Sequence, residues 1–192
     1  GINGSIWTVA DGADAFLGDA TQWSDQDGDG YGDNPPPATE GDACSTTPGT
    51  SYQDRFGCVD SDGDGYSDGD AVWTTTEGAD AFPSEPSQWA DQDGDGYGDN
   101  ASGVNADSCP TTFGTSTEVG NLGCSDLDGD GYADTDDAFP NDSTQWLDSD
   151  GDGFGDGTTA VQACVGPEGT IPDGLDCDDG DASISPMGTE IC

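Results

Sequence analysis

A nine-residue segment rich in aspartate and glycine occurs five times in the chain and limits its fold more than any other feature. The first copy reads Asp-Gln-Asp-Gly-Asp-Gly-Tyr-Gly-Asp. Aspartates at positions 1, 3 and 5 of so tight a segment converge on one point, and a glycine at position 6 permits the sharp turn. The spacing therefore predicts a cation site in each copy. We number the copies loops 1 to 5, at residues 25–33, 60–68, 91–99, 126–134 and 148–156.

Calcium is the cation that these loops predict. Position 7 would add a backbone carbonyl, and position 9 is a fourth aspartate, placed to bind directly or through a water. An all-oxygen set suits Ca²⁺ better than a transition metal, and the chain contains no histidine. A disordered acidic segment is the alternative, but disorder would not keep one register through five copies. The predicted ligands are Asp25, Asp27, Asp29, Tyr31 and Asp33; Asp60, Asp62, Asp64, Tyr66 and Asp68; Asp91, Asp93, Asp95, Tyr97 and Asp99; Asp126, Asp128, Asp130, Tyr132 and Asp134; and Asp148, Asp150, Asp152, Phe154 and Asp156.

The net charge of the chain also indicates that it binds cations. The sequence has 42 acidic residues and one basic residue, Arg55, for a formal net charge of −41. Without bound cations the chain should repel itself, and the same repulsion makes nucleic acids and anionic membranes improbable partners. Its 32 glycines and 11 prolines interrupt the apolar faces that would build a core. We therefore expect metal ions and disulfides to supply the missing stability.

The seven cysteines fit that expectation. Zinc is a competing interpretation, but the C-x-x-C spacing of zinc sites is absent. Closing a loop of about 15 residues stabilises a fold by about 3 kcal/mol in the chain-entropy model. Disulfides would place the protein at an extracellular or cell-surface location. The predicted pairs are Cys44–Cys58, Cys109–Cys124 and Cys164–Cys177, with Cys192 left over.

A longer period is superimposed on the loops. Three linkers, at 14–23, 80–89 and 137–146, begin with Asp-Ala-Phe, end with Gln-Trp and lead into a loop. The runs 5–10 and 71–76 match each other, so we expect the chain to begin inside a repeat. The same two runs are the best strand candidates. No segment shows helical periodicity. The predicted divisions are 1–13 for the end of a preceding repeat, 14–79, 80–136 and 137–175 for three calcium-binding repeats, and 176–192 for a partial metal-binding motif.

The third linker with its loop resembles the thrombospondin type 3 repeat, because Asp-Ala-Phe-Pro-x4-Gln-Trp precedes Asp-x-Asp-Gly-Asp-Gly-Phe-Gly-Asp. The resemblance implies a mostly irregular, elongated array with short β-strands and very little helix, in which the backbone wraps around a row of calcium ions. It also implies that the aspartate opening the next linker completes a preceding site, as Asp137 would at position 12 of loop 4. The Asn-Cys of the family is replaced by Ala-Phe, as at Phe16, so the disulfide pairing of the family does not carry over. We expect Phe16 and Trp23 to cover the loops as small apolar plugs.

The last 17 residues resemble a different module, the Asp-Cys-Asp-Asp-x-Asp motif of bacterial surface proteins. The resemblance implies a sixth, irregular calcium site at Asp176, Asp178 and Asp181, for a total of five or six ions per chain. Three interpretations are open for Cys192. It would form a disulfide with a continuation of the chain, with another subunit, or with Cys177, and the last pairing would leave Cys164 free.

Other calcium-binding families fit less well. A sensor EF-hand needs flanking amphipathic helices and a glutamate at position 12, which these loops lack. A cohesin-binding dockerin needs basic recognition positions, and the chain has one arginine. A glycosidase needs two carboxyl groups across a pocket with apolar walls, and those walls are missing. We therefore predict no enzyme activity and no catalytic residues.

A secreted structural role remains, either as a calcium-rigidified stalk or as the repeating subunit of a fibre. The expected partners are identical chains or a continuation of the same array. A calcium-dependent adhesion or glycan-binding module of a cell-surface protein is the alternative. No apolar run is long enough to cross a bilayer. Sequons that would carry glycans on the surface lie at Asn3, Asn100 and Asn141.

Overall fold

The computed structural model describes residues 8–9, 12–38, 40–156 and 179–183. These residues form turns and bends, without an α-helix or a strand of more than one residue. Three isolated parallel bridges join described residues: Gly32 with Gly41, Asp68 with Asp80, and Gly98 with Ala106. The mostly irregular fold with very little helix is confirmed. None of the described residues belongs to a helix long and apolar enough to span a bilayer.

The strand predicted at 71–76 is wrong. The carboxylate of Asp70 accepts the N–H groups of Val72 and Trp73 at 2.8 and 2.9 Å, and the Asp70 N–H donates to the Trp73 carbonyl at 2.7 Å. A side chain that bonds nearby backbone groups offers the chain a turn in place of a ladder. The matching run 5–10 lies mostly outside the described residues.

Contacts divide the chain into two units, Gly1–Asp91 with Gly98–Ala106, and Gln92–Tyr97 with Asp107–Cys192. The first unit contains the disulfide Cys44–Cys58 and the second contains Cys109–Cys124, with Cα separations of 5.0 and 5.1 Å. Each disulfide closes a hairpin that leads into one of the aspartate loops, loop 2 or loop 4. Two predicted pairs are therefore confirmed. Cys164, Cys177 and Cys192 lie outside the described residues.

The buried interior is small and polar. Only Cys58, Ala79, Cys124 and Ala133 are buried apolar residues among those described, and the largest side chain that is fully buried is Gln88. Burying polar groups is favourable only when they are hydrogen-bonded. These small side chains cannot supply the burial that stabilises an ordinary domain of this size.

Gln88 shows how the polar interior is satisfied. Its amide oxygen accepts the N–H of Asn100 at 2.9 Å, and its amide nitrogen donates to the carbonyls of Asn100 and Val104 at 3.1 Å each. Gln22 accepts the N–H of Asn34 at 2.9 Å in the same way. The glutamines of the first two linkers thereby hold the chain where it leaves the following loop.

The buried glutamine explains why position 8 of loop 3 is glycine. A Cβ added to Gly98 would lie 2.2 Å from the Gln88 Oε1 atom. We expect Gly98→Ala to lower the free energy of unfolding by about 1–3 kcal/mol, because Gln88 must leave its hydrogen bonds to make room. Urea unfolding in calcium measures the change. Gly18→Ala is the matched control, because no atom lies within 4 Å of a Cβ built there. Equal stability of the two variants would contradict the prediction.

Aromatic rings join loops to linkers at two places. Tyr66 stacks on Trp89 with ring centroids 5.0 Å apart, and Tyr132 stacks on Trp146 at 4.9 Å. In both places the linker tryptophan therefore covers the ring at position 7 of the preceding loop, as expected for an apolar plug. The equivalent Trp23 is 60% exposed.

Candidate metal centres

Five aspartate triads are brought together in the described residues. In each triad, three carboxylate oxygens lie within 4.8 Å of one another, which is close enough to hold one metal ion. The triads are positions 1, 3 and 5 of every loop, as the sequence predicted: Asp25, Asp27 and Asp29; Asp60, Asp62 and Asp64; Asp91, Asp93 and Asp95; Asp126, Asp128 and Asp130; and Asp148, Asp150 and Asp152.

Each loop is folded by its own carboxylates, and loop 2 shows the pattern. Asp60 accepts the N–H of Gly63 at 2.7 Å on one oxygen and that of Gly65 at 3.0 Å on the other. Asp62 and Asp64 each accept one further N–H from the residue two positions later. Gly65 has φ of 100°, a conformation that disfavours side chains. The backbone thus turns around the carboxylates and aims them inward.

The triads retain buried oxygens without hydrogen-bond partners. In loop 2 these are Oδ2 of Asp62 and Oδ2 of Asp64, and in loop 4 they are Oδ2 of Asp128 and Oδ2 of Asp130. Burial raises the pKa of Asp64, and the neighbouring carboxylates raise it further. A buried carboxylate without a partner is unfavourable. A divalent cation among these oxygens would remove that penalty, so the donor set fits a hard metal ion.

A fourth carboxylate approaches several loops from later in the chain, and we call these residues the closing aspartates. Their N–H groups donate to the carbonyl at position 8 of the loop, at 2.7 Å in loop 1, 2.9 Å in loop 2 and 3.0 Å in loop 4. Their Oδ1 atoms accept the N–H two residues later at 2.6 to 2.7 Å. The closing aspartates of these loops are Asp42, Asp80 and Asp137.

The electrostatics show that the closing aspartates face the triads. Burial, with the carboxylates of loop 1, raises the pKa of Asp42 to about 6. Burial and the loop 2 carboxylates raise the pKa of Asp80 to about 6 as well. Asp80 is 3% exposed and its Oδ2 has no hydrogen-bond partner. In loop 4 the pKa of Asp137 is raised by burial and by the three triad carboxylates. Each of these closing aspartates therefore lies near carboxylates of the preceding loop.

Sequence reasoning named only one of these residues, Asp137. Asp80 was covered only by the general expectation for linker-opening aspartates. Asp42 was missed, as was Asp107, which is 6% exposed and accepts the N–H of Cys109 at 2.7 Å. The available signal was an aspartate two residues before a hairpin cysteine or a linker phenylalanine. The number of residues between this aspartate and the preceding loop varies, so a motif of fixed spacing could not find it.

The aspartates at position 9 lie outside the convergent triads. Asp68 accepts the N–H of Ser61 at 3.0 Å, and Asp134 accepts the N–H of Leu127 at 2.8 Å. These bonds close loops 2 and 4 on their second residues. In loop 1 the position-9 residue is Asp33, which accepts a hydroxyl hydrogen bond from Ser24 at 2.7 Å. Metal ligation by position 9, directly or through water, remains a prediction.

The remaining predicted residues have simpler surroundings. At position 7, Tyr31, Tyr66, Tyr97, Tyr132 and Phe154 donate their N–H groups to the position-5 carboxylate, and carbonyl ligation stays a prediction. In the C-terminal motif, Asp181 accepts the N–H of Ser183 at 3.1 Å, whereas Asp176 and Asp178 lie outside the described residues. Among the sequons, Asn141 is exposed, Asn100 donates its side-chain amide to the Ser87 carbonyl, and Asn3 lies outside the described residues.

No protein-family model matches the chain, and no curated protein shows significant similarity to it. The structure itself shows repeated Asp-x-Asp-x-Asp clusters that are compatible with a calcium-binding repeat.

Proposed function

We propose that this chain is a secreted structural module in which calcium ions bound by the five loops hold a self-repelling chain in one fold. The observation that carries the proposal is Asp80. Its carboxylate is 3% exposed, has an oxygen without a partner and faces three further carboxylates of loop 2. Neighbouring carboxylates with a buried oxygen that has no partner favour a bound cation, and oxygen ligands of this kind are those that Ca²⁺ prefers.

The structural role follows from what the ions join. Each closing aspartate belongs to the next hairpin or linker, so an ion held by a loop and its closing aspartate ties consecutive elements together. The two disulfides and the small polar interior support the same role, because little else stabilises the chain. Together with the resemblance to thrombospondin type 3 repeats, these features support a calcium-rigidified stalk or the repeating subunit of an extracellular fibre.

A direct count of bound calcium tests the proposal. We expect at least five ions per chain by native mass spectrometry, one for each triad. Asp80→Asn is expected to weaken the loop 2 site by about tenfold or more, because one charged ligand of four is lost. Asp136→Asn is the matched control, since Asp136 is exposed and belongs to no triad. A chain that binds no calcium, or an Asp80→Asn variant with unchanged affinity at every site, would refute the assignment.

The raised pKa values of Asp42 and Asp80 predict proton release on calcium binding. Their folded-state pKa of about 6 lies above the usual carboxyl value, so in the calcium-free chain their contribution to stability is greatest below about pH 4 and is lost as the pH rises through 6. Calcium requires the ionised form. In a chain kept folded by calcium in its other loops, we expect about half a proton to be released per closing aspartate at pH 6 and almost none at pH 8. Calorimetry in buffers of different ionisation enthalpy measures this release, and equal values at both pH values would contradict it.

A calcium-dependent glycan-binding module is the second candidate. The observation in its favour is Trp23, a largely exposed ring directly before loop 1. Aromatic faces pack against apolar surfaces while their polar edges remain wet. The test is binding to a glycan array in calcium, with loss of binding in Trp23→Ala as the expected result. Absence of calcium-dependent glycan binding would remove this candidate.

A further inference from the structure

Each disulfide-closed hairpin lies between two aspartate loops in the chain. We call residues 44–58 hairpin 1 and residues 109–124 hairpin 2. Hairpin 1 follows loop 1 and ends two residues before loop 2, and hairpin 2 lies in the same way between loops 3 and 4. In the folded chain, hydrogen bonds connect each hairpin to both of its neighbouring loops.

Hairpin 1 contacts the carboxylates of loop 1. The Gly49 N–H donates to Oδ2 of Asp29, the position-5 aspartate of the triad, at 2.9 Å. Gly57 is packed against the same group, because a Cβ added there would lie 3.1 Å from Asp29 Oδ2 and 2.5 Å from Oδ1 of the closing aspartate, Asp42. Hairpin 1 therefore helps to position two carboxylates at loop 1.

The middle of hairpin 1 contacts loop 2. The N–H groups of Tyr52 and Gln53 both donate to the carbonyl of Gly65, the position-6 residue, at 2.8 and 2.9 Å. The Asp54 carboxylate accepts the N–H of Ser67, the position-8 residue, at 3.0 Å and its hydroxyl hydrogen at 2.6 Å. Hairpin 1 thus holds loop 2 on both sides of position 7, whose carbonyl is a predicted ligand.

Hairpin 2 repeats both contacts. The Gly114 N–H donates to Oδ2 of Asp95, the position-5 aspartate of loop 3, at 3.2 Å. The N–H groups of Thr117 and Glu118 donate to the position-6 carbonyl of loop 4 at 2.9 and 3.0 Å. Two hairpins of different sequence therefore bond the position-5 carboxylate of the loop before them and the position-6 carbonyl of the loop after them.

These contacts link the state of one loop to that of the other. Without a cation, the triad carboxylates repel one another and tend to move apart. A cation in loop 1 would fix Asp29, which then holds the N–H of Gly49 and orders hairpin 1. The ordered hairpin already presents its hydrogen-bonding groups to loop 2. Binding at loop 2 then no longer carries the entropy cost of ordering the hairpin, and binding at loop 2 first would favour loop 1 in the same way.

We propose that calcium binds cooperatively within two pairs of sites, loop 1 with loop 2 and loop 3 with loop 4, and that the hairpin between the two loops carries the coupling. The proposal rests on the calcium binding proposed above and adds how its sites regulate one another. Because a coupling free energy is reciprocal, each site of a pair strengthens the other by the same factor. Gly49, Asp54 and Gly114 are positioning residues here, since they bond a loop and are not placed in any triad.

Removal of one triad aspartate tests the coupling. Hydrogen exchange of the full chain, measured by mass spectrometry against free calcium, gives a separate protection midpoint for the peptides of each loop. We expect Asp27→Ala in loop 1 to raise the calcium midpoint of loop 2 by about fivefold or more, and Asp62→Ala in loop 2 to raise that of loop 1 by a similar factor. Asp128→Ala in loop 4 is the matched control, which should weaken loop 3 and leave loop 2 unchanged. An unchanged loop 2 midpoint in Asp27→Ala, or an equal shift in Asp128→Ala, would overturn the proposal.

Asp54→Ala tests whether hairpin 1 carries the coupling. It removes the side-chain bonds to Ser67, and Asp54 belongs to neither triad. Its loss also changes the electrostatic field at loop 2, so the quantity compared is the shift caused by Asp27→Ala with and without Asp54. We expect a smaller shift without Asp54. Gln53→Ala is the control, because the Gln53 bond to loop 2 comes from its backbone N–H. A shift of full size in the Asp54→Ala background would contradict the role of the hairpin.

A count of bound ions separates this proposal from the proposed function. Asp150→Ala removes the loop 5 site and leaves the two pairs. At half-saturating calcium, native mass spectrometry of this variant should show more chains with two or four ions than with one or three. Four ions distributed as for independent sites would refute the coupling alone. A chain that binds no calcium would refute the proposed function and the coupling with it.

Discussion

Removal of calcium is expected to expand the chain from a folded particle to an open coil. The formal charge of −41 is then uncompensated, and the triads and closing aspartates repel one another. At a free calcium concentration 100 times the dissociation constant, each independent site adds about 2.7 kcal/mol to the free energy of unfolding. Together, five such sites would contribute more than the total unfolding free energy of most small domains. Small-angle scattering should show a radius of gyration approaching about 47 Å in chelator, the value for an unfolded chain of this length.

Two controls separate site occupancy from general charge screening. In chelator with 1 M NaCl, where the Debye length is about 3 Å, we expect the coil to contract without regaining protease resistance. Magnesium should restore the fold less well than calcium at equal concentration, because it demands octahedral geometry and loses its waters reluctantly. An unchanged radius of gyration in chelator would show that the loops are not what holds the chain together.

Removal of the Cys44–Cys58 disulfide is expected to have the next largest effect. The bridge spans 14 residues and closes the hairpin that leads into loop 2. In the chain-entropy model, the double variant Cys44→Ala with Cys58→Ala loses about 3 kcal/mol of unfolding free energy. The effect is large because the interior is polar and small. Urea unfolding followed by tryptophan fluorescence in saturating calcium measures the loss.

The second hairpin provides the comparison. Its Cys109–Cys124 bridge spans 15 residues, so removing it should cost a similar amount. We also expect the double variant Cys44→Ala with Cys58→Ala to weaken calcium binding at loop 2, since Cys58 lies two residues before Asp60. The Cys58 N–H donates to the buried Ser51 hydroxyl at 3.0 Å, so this part of the hairpin is fixed next to the loop. Unchanged unfolding midpoints in both double variants would show that the bridges do not restrict the unfolded chain as proposed.

Much of the candidate site was predictable because its interactions are local. The carboxylates of Asp60, Asp62 and Asp64 are two residues apart, and the N–H groups that orient them come from within the same loop. Their convergence depends on glycine turns, which spacing reveals directly. The first two disulfides were predictable for a similar reason, since each pair joins neighbouring cysteines in the chain. The strand predicted at 71–76 was wrong because β propensity depends on a pairing partner, and the turn at Asp70 provides none.

The sequence by itself determined the loops, the hairpin bridges, the acidic charge and the lack of α-helix in the described residues, because each of these depends on residues close together in the chain. Only the tertiary structure decided which distant groups complete the sites. Asp42 and Asp80 approach their triads across insertions of different length, and Tyr66 reaches Trp89 in the next linker. The physical reason is that an insertion changes the number of residues between a loop and the group that contacts it, while the contact in the folded chain stays the same. No fixed sequence spacing therefore identifies these groups.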